Sequence, residues 1–233
     1  MIVLITPTGG RPRQFNLCCN WMRNQTYTGK VLWIVVDDCR PCITGNIESF
    51  PDNWTIVKKY PLPIWHTGNN TQSRNLKIGI NIVKSLPKEQ VEAIFIIEDD
   101  DYYSPAYLEK MMVKLKGYTV AGEIYTMYYH IGERKYHGDA NKIHTSLFQT
   151  AFTVDAIPAF EMSYGKKYID IEFFTHVKNA NLFPREDLAI GIKGMPGRGG
   201  IGGGHRRNSY RGSPDNDFSR LKDFIGDDYK YYK

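Results

Sequence analysis

The first 115 residues alternate between short apolar runs and longer segments with helical periodicity, and this alternation narrows the possible folds most. The apolar runs are rich in β-branched residues and predict buried strands at residues 1–5, 30–36, 54–60 and 93–97. One helix face between the first two strands is marked by Phe15, Cys18, Cys19 and Met22. Residues 72–84 repeat that periodicity. Strands that alternate with helices predict an α/β fold with a mostly parallel central sheet and helices on both faces.

The rest of the chain has a different pattern. Ser104 and Pro105 predict the start of a helix, as N-cap and first helical residue. Beyond them we expect strands at 119–131 and 146–154, a helix at 168–180, an amphipathic piece at 218–225 and a polar tail at 227–233. With 233 residues, 42% apolar and 24% charged, the composition fits one domain over residues 1–226. It excludes a wholly disordered, collagen-like or coiled-coil chain.

An acidic run, Glu98 to Asp101, follows the strand predicted at 93–97. Ligands of open α/β sheets bind beyond the carboxyl ends of the strands. In extended geometry Asp99 and Asp101 face the same side, so these two carboxylates would share one metal ion. Oxygen ligands suit Mg²⁺ or Mn²⁺. The alternative interpretation is a solvated acidic turn that caps the helix beginning at Ser104.

Four segments in this order carry a family resemblance: VLITPTGGRP, WIVVDD, NNTQSRNLKIGIN and IIEDDDYYSP. They resemble the nucleotide-binding half of inverting family 2 glycosyltransferases of the GT-A fold. The resemblance implies a single GT-A-like (Rossmann-like) domain, with residues 1–115 as the nucleotide-sugar-binding half and 116–226 as the acceptor half. It implies that the nucleotide-sugar donor contacts Thr6, Pro7, Arg11, Asp37, Asp38, Arg74, Asn75, Asp99 and Asp100. The loop after Asp38 departs from the family, because Cys39-Arg-Pro-Cys42 stands where Gly-Ser-x-Asp is common.

The resemblance also implies a carboxylate base that removes the acceptor's proton, at the start of a helix in the second half. In this chain Asp170 and then Glu172 match best, although one residue separates the two acids. The alternative is that they only interact favourably with the helix dipole.

A loop at 191–212 holds much of the chain's positive charge. Eight of the fourteen residues from 191 to 204 are glycine, and five basic and no acidic residues lie between 193 and 211. The resemblance implies that His205 is a late metal ligand, while Arg206 would neutralise the diphosphate. The alternative is an Arg/Gly segment that binds nucleic acid through charge.

These observations favour a metal-dependent inverting glycosyltransferase that uses Mn²⁺ or Mg²⁺ and a nucleoside diphosphate sugar. The acceptor stays open between DNA carrying hydroxymethylated pyrimidines, as in similar bacteriophage-encoded enzymes, and a cell-surface or other glycan. A nucleotidyltransferase and a non-catalytic nucleic-acid-binding module are the alternatives from other classes. With no long apolar run and no leader peptide, we expect a cytoplasmic protein (host cytoplasm if phage-encoded) without membrane insertion.

Overall fold

The computed structural model of the protein describes residues 1–39, 49–67, 69–198 and 210–233. The strands of the first half are β1 (Ile2–Thr8), β2 (Val31–Asp37), β3 (Trp54–Lys59), β4 (Ala93–Ile96) and β5 (Tyr102–Tyr103), and its helices are α1 (Pro12–Arg23), α2 (Gln72–Lys84) and α3 (Tyr107–Leu115). The strands of the second half are β6 (Val120–Glu123), β7 (Tyr125–His130), β8 (Lys135–Ala140), β9 (Thr150–Phe152), β10 (Ala180–Phe183), β11 (Ala189–Lys193) and β12 (Ser213–Pro214). Its helices are α4 (Ile157–Glu161), α5 (Ile169–Thr175) and α6 (Ser219–Ile225).

The central sheet has the strand order β10-β6-β9-β4-β1-β2-β3, and all its pairings are parallel except those of β9 with β4 and β6. Apolar side chains of α1 and α3 pack on one face, and those of α2, α4 and α5 pack on the other. Both faces are therefore covered, which explains why β1, β2 and β4 are mostly apolar and buried along their whole length. The predicted mostly parallel sheet with helices on both faces is confirmed.

Close packing of α2 on β1 depends on Gly79. A Cβ atom at this position would collide with the side chain of Ile5. The glycine therefore lets the start of α2, which carries Arg74 and Asn75, sit tightly against the sheet.

A second sheet with the order β12-β8-β7-β11-β5 extends from the carboxyl end of the central sheet. β11 pairs antiparallel with β5 through Ala189 opposite Tyr103 and Ile190 opposite Tyr102. Because β5 directly follows the acidic run, this pairing brings the end of β11 next to Asp101. The prediction of one strand at 119–131 is wrong, because the segment forms two strands. β6 joins the central sheet and β7 joins the second one.

Several other boundaries differ from the sequence prediction. Helix α3 begins at Tyr107 with Ala106 as N-cap and no side-chain capping bond, so the predicted capping by Ser104 is wrong. The helix predicted at 168–180 ends at Thr175, because the chain turns to pair β10 with β6. Within 146–154 only Thr150–Phe152 is a strand.

The end of the chain packs on the core instead of forming the expected polar tail. Gly226–Tyr232 is a 3-10 helix, and Tyr232 is only 2% exposed. The rings of Tyr231 and Tyr232 lie 5.8 and 6.5 Å from the ring of Trp21. Burial of the Tyr232 ring and the contact of Tyr231 with Trp21 offset the polar composition of the segment.

Among the residues that the structure describes, none of the helices combines the length and the apolar character needed to cross a membrane.

Candidate functional site

The carboxyl ends of β1, β2 and β4 meet at one edge of the central sheet. The parallel register pairs Thr8 with Asp37, and it places β4 directly beside β1. The turn after β1 contains Gly9, where a Cβ atom would collide with the carboxylate of Asp38. The ends of β2 and β4 thus deliver carboxylates to one place, on either side of the end of β1, at the edge where open α/β sheets bind ligands.

The acidic run after β4 forms a turn, and this changes which carboxylates point together. Residues Asp99 to Asp101 are in turn and bend conformations, so the strand alternation that would place Asp99 and Asp101 on one side does not apply. Asp99 instead accepts hydrogen bonds from Arg11 and, at 2.5 Å, from the hydroxyl of Thr8. Arg11 also donates to Oδ2 of Asp100 at 3.1 Å. The guanidinium therefore ties the start of α1 to the acidic turn.

Glu98, Asp100 and Asp101 each offer a carboxylate oxygen within 4.8 Å of the others. Oδ1 of Asp101 accepts from the backbone N–H of Ile192 at 2.8 Å and from Nζ of Lys193 at 3.3 Å. Oδ2 of Asp101 is buried and has no hydrogen-bond partner among the described residues. A buried charged oxygen without a partner is rare and calls for a ligand. The three carboxylates of this group offer hard oxygen donors, the type of ligand that suits Mg²⁺ or Mn²⁺.

The protonation of these acids reflects their burial. Burial raises the pKa of Glu98 to about 7, although Lys193 opposes the shift. Burial raises the pKa of Asp99 to about 6 against the lowering effect of Arg11, and it raises the pKa of Asp101 well above its ordinary value. Burial disfavours the ionised form of each acid, so the turn is short of positive charge.

Asp38, after β2, has a different environment. It is 1% exposed, and Nη1 and Nη2 of Arg198 donate to its two oxygens at 2.5 and 3.2 Å. Nη2 of Arg74 lies 3.8 Å away. Burial raises the pKa of Asp38, but hydrogen bonds from Arg198, Thr71 and Asn75 outweigh it and leave the pKa below the ordinary value. The same guanidinium of Arg198 lies 4.7 Å above the ring of Trp65.

The other residues expected at the nucleotide occupy the same edge, with varied orientations. Thr6 and Pro7 are buried within β1, and the Thr6 hydroxyl accepts a hydrogen bond from Nε1 of Trp33 at 2.8 Å. Asp37 accepts from the backbone N–H of Cys39 at 3.0 Å. Arg74 donates to the carbonyl of Leu62 at 2.8 Å, which holds the segment after β3 over the start of α2. These contacts hold β1, the end of β2 and the start of α2 to their neighbouring segments at this edge of the sheet.

The two acids proposed as bases differ in their surroundings. Asp170 and Glu172 lie two residues apart in the first turn of α5, so their side chains point in different directions. Burial raises the pKa of Asp170, and the charge of Asp170 contributes to the raised pKa of Glu98. Glu172 pairs with Lys166 at 3.3 Å and with His176 at 3.5 Å, and these hydrogen bonds lower its pKa. The charge of Asp170 thus acts on Glu98 in the acidic run, whereas Glu172 contacts Lys166 and His176 instead.

His205 and Arg206, the expected late metal ligand and diphosphate contact, lie outside the described residues. The described part of the 191–212 loop contributes Lys193 and Arg198 to the site instead.

Sequence reasoning missed several partners. It did not assign Glu98 to the group of close carboxylates, Thr8 to Asp99, Lys193 to Asp101 or Arg198 to Asp38. A local signal existed for Glu98, which belongs to the same acidic run. The two cations are separated from their partners by 92 and 160 residues, and no local pattern identifies such pairs.

No protein-family model and no curated protein matches the sequence. Solved structures do resemble the fold. The structure of S. aureus TarS superposes with a TM-score of 0.60 at 9% identity, over 82% of this chain and 36% of TarS. The complex of S. aureus TarS 1–349 with UDP gives 0.59 at 11% identity, over 82% and 60% of the two chains. Its complex with UDP-GlcNAc gives 0.55 at 10% identity, over 82% and 58%.

This chain therefore spans less than two thirds of the length of each of these structures. At such low identity the likeness concerns the fold alone, and the expected GT-A-like fold is confirmed.

Proposed function

We propose that this protein is a metal-dependent inverting glycosyltransferase that moves a sugar from a nucleoside diphosphate sugar to a hydroxyl acceptor. The observation that carries the proposal is the group formed by Glu98, Asp100 and Asp101, which includes a buried oxygen, Oδ2 of Asp101, without a hydrogen-bond partner among the described residues. The group lies at the ligand-binding edge of a fold shared with TarS, a protein that has been solved with UDP-GlcNAc.

These three acids would hold Mg²⁺ or Mn²⁺, and the ion would add positive charge at the diphosphate leaving group. Asp99 is then the residue that, through Arg11 and Thr8, holds the acidic turn in place. We place the nucleoside at the adjoining edge lined by Arg11, Asp37, Asp38, Arg74 and Asn75. Thr6 and Pro7 support that edge from within β1, and His205 and Arg206 are proposed to act from the 191–212 loop.

In the transfer step, the acceptor oxygen forms a bond to the anomeric carbon as that carbon's bond to the diphosphate oxygen breaks. The acceptor's proton moves to a carboxylate, and the nucleoside diphosphate leaves with the bonding electron pair. Asp170 suits the base because its raised pKa favours proton uptake and because its charge acts on Glu98 in the acidic run. Inversion at the anomeric carbon is proposed from the family resemblance.

The test is incubation of the protein with radiolabelled UDP-, GDP- and dTDP-sugars in the presence of Mn²⁺. We expect transfer or slow hydrolysis of one sugar nucleotide, abolished by EDTA and by Asp101→Ala. Asp223→Ala, at an exposed ion pair on α6, is the matched control and should keep full activity. If no sugar nucleotide is bound or consumed under any of these conditions, the proposal is wrong.

The acceptor is a separate question, between DNA and a glycan. Offering hydroxymethylated DNA, unmodified DNA and oligosaccharides in parallel decides between them. A DNA acceptor predicts transfer only to the hydroxymethylated duplex, with binding that weakens steeply as salt rises. A glycan acceptor predicts transfer with little dependence on salt.

A further inference from the structure

Lys193 is a buried cation at the acidic turn that the proposed reaction does not yet use. It ends β11, is 9% exposed, and places Nζ 3.3 Å from Oδ1 of Asp101. Its ammonium group also lies 5.6 Å from the ring of Tyr128 and 5.7 Å from that of Phe148. An ammonium ion held on aromatic faces and a carboxylate is an established arrangement for a stable buried lysine.

Lys193 adds charge to Asp101 and is not needed to orient it. The backbone N–H of Ile192 already donates to the same oxygen of Asp101, at the shorter distance of 2.8 Å. That bond belongs to the backbone of β11 and persists whatever side chain occupies position 193. Replacement of Lys193 by an uncharged residue should therefore leave Asp101 in place and remove one positive charge.

The charges at the turn do not balance. Four carboxylates (Glu98 to Asp101) face two cations, Arg11 and Lys193. The acids outnumber the cations, and Asp170 adds a further carboxylate near Glu98, so the turn favours an additional positive charge. Arg11 is committed to Asp99 and Asp100, whereas Lys193 touches Asp101, whose second oxygen has no hydrogen-bond partner in the part of the chain that the structure describes.

We propose that Lys193 is a resident counter-ion that repels the metal from Asp101 until the donor's diphosphate arrives and takes up its charge. This rests on the proposed function. In the free protein, Lys193 stabilises the acidic turn but weakens the binding of a second cation nearby. The negative charge of a diphosphate offsets the positive charges of both Lys193 and the metal ion. Metal and nucleotide then bind better together than separately, and by linkage each raises the affinity of the other by the same factor.

The experiment measures Mn²⁺ binding by electron paramagnetic resonance, with and without UDP, after correction for the Mn²⁺–UDP complex in solution. In wild type we expect UDP to tighten Mn²⁺ binding by about tenfold or more. In Lys193→Met, Mn²⁺ alone should bind about tenfold more tightly than in wild type, and the enhancement by UDP should shrink to a similar degree. Lys193→Arg, which keeps the charge, should restore weak binding of Mn²⁺ alone. Lys222→Met, at an exposed lysine of α6, should behave as wild type.

Weaker Mn²⁺ binding in a folded Lys193→Met protein would overturn the inference, since it would make Lys193 a structural support of Asp101. If that variant does not fold, the wild-type measurement still decides, because equal Mn²⁺ affinity with and without UDP also overturns it. Failure of the proposed function looks different. In that case wild type binds neither Mn²⁺ nor any nucleoside diphosphate, whereas failure of this inference alone leaves both binding reactions intact and uncoupled.

Discussion

Asp38 and Asp101 follow strands on either side of β1 and are 1% and 0% exposed, but their hydrogen bonds differ. Both oxygens of Asp38 receive donors from Arg198, and the net effect of its surroundings is a lowered pKa. Among the residues that the structure describes, donors reach only one oxygen of Asp101, and burial raises its pKa. A carboxylate that the protein satisfies serves to hold the protein together. A buried carboxylate with one oxygen that no described residue contacts is a position where a cation can bind.

The same contrast occurs on α5, and it leads to the largest expected effect. Asp170→Asn should lower the rate of transfer by about 10²–10⁴-fold, because it removes the proposed base. Glu172→Gln should change the rate by less than about threefold, since Glu172 is occupied by surface ion pairs with Lys166 and His176. Steady-state kinetics with the labelled donor measures both. Similar losses in the two variants would show that ion pairing does not separate the roles of these acids.

The contrast between Asp38 and Asp101 is tested directly by stability. Asp38→Asn should lower the free energy of unfolding by about 3 kcal/mol, because it leaves the charge of Arg198 without its buried partner. Asp101→Asn, measured in EDTA, should lower it by less than about 1 kcal/mol, because Lys193 keeps the neighbouring charges of Asp100 and Glu98 and the buried Oδ2 of Asp101 has no partner among the described residues to lose. Urea denaturation followed by circular dichroism gives both values. Equal losses would break the comparison.

Glu123 extends the comparison to a buried acid whose neighbours are backbone and amide groups. Its oxygens accept from the N–H of Glu186 at 2.5 Å and from Nε2 of Gln149 at 2.9 Å, yet burial raises its pKa to about 7. The folded protein therefore keeps this proton up to about pH 7, whereas the unfolded chain loses it near pH 4.5. The stability from this group is complete below the lower pH and is lost as pH rises towards 7, by about 3 kcal/mol.

The measurement is the free energy of unfolding across this pH range in wild type and in Glu123→Gln. The variant should lose that part of the pH dependence, while Glu89→Gln, at an exposed site, should keep it. The same pH dependence of stability in wild type and in both variants would contradict the assignment.

The smallest effect is expected at Ser104. Its hydroxyl is buried without a hydrogen-bond partner in the described residues, as is Oδ2 of Asp101, but it is neutral. Ser104→Ala should change the free energy of unfolding by less than about 0.5 kcal/mol, whereas loss of a true N-cap costs about 1 kcal/mol. Urea denaturation decides between the two, and the larger loss would restore the capping role.

The elements of the first half could be predicted because their information is local. The helix predicted at 72–84 is found as Gln72–Lys84, and the strand predicted at 54–60 is found as Trp54–Lys59. The pattern of each lies within a few residues, and α2 buries Leu76, Ile80 and Val83, the face that its periodicity predicts. In the second half the residues of 119–131 have strand character throughout, but the pattern does not say which sheet a strand joins. That depends on partners distant in the chain, such as β10 for β6 and β11 for β7.

The candidate site divides in the same way. The α/β fold and the acidic run at the end of a buried strand could be predicted from the sequence, because strand character and the position of charge are local properties. Only the tertiary structure decided that Glu98 replaces Asp99 in the acidic group and that Asp170 and Glu172 have different surroundings. It alone placed Lys193 on Asp101 and Arg198 on Asp38. These outcomes depend on the turn geometry of four residues and on the pairing of β11 with β5, and the energy of a buried charge is set by whichever partners such pairings bring within hydrogen-bond distance.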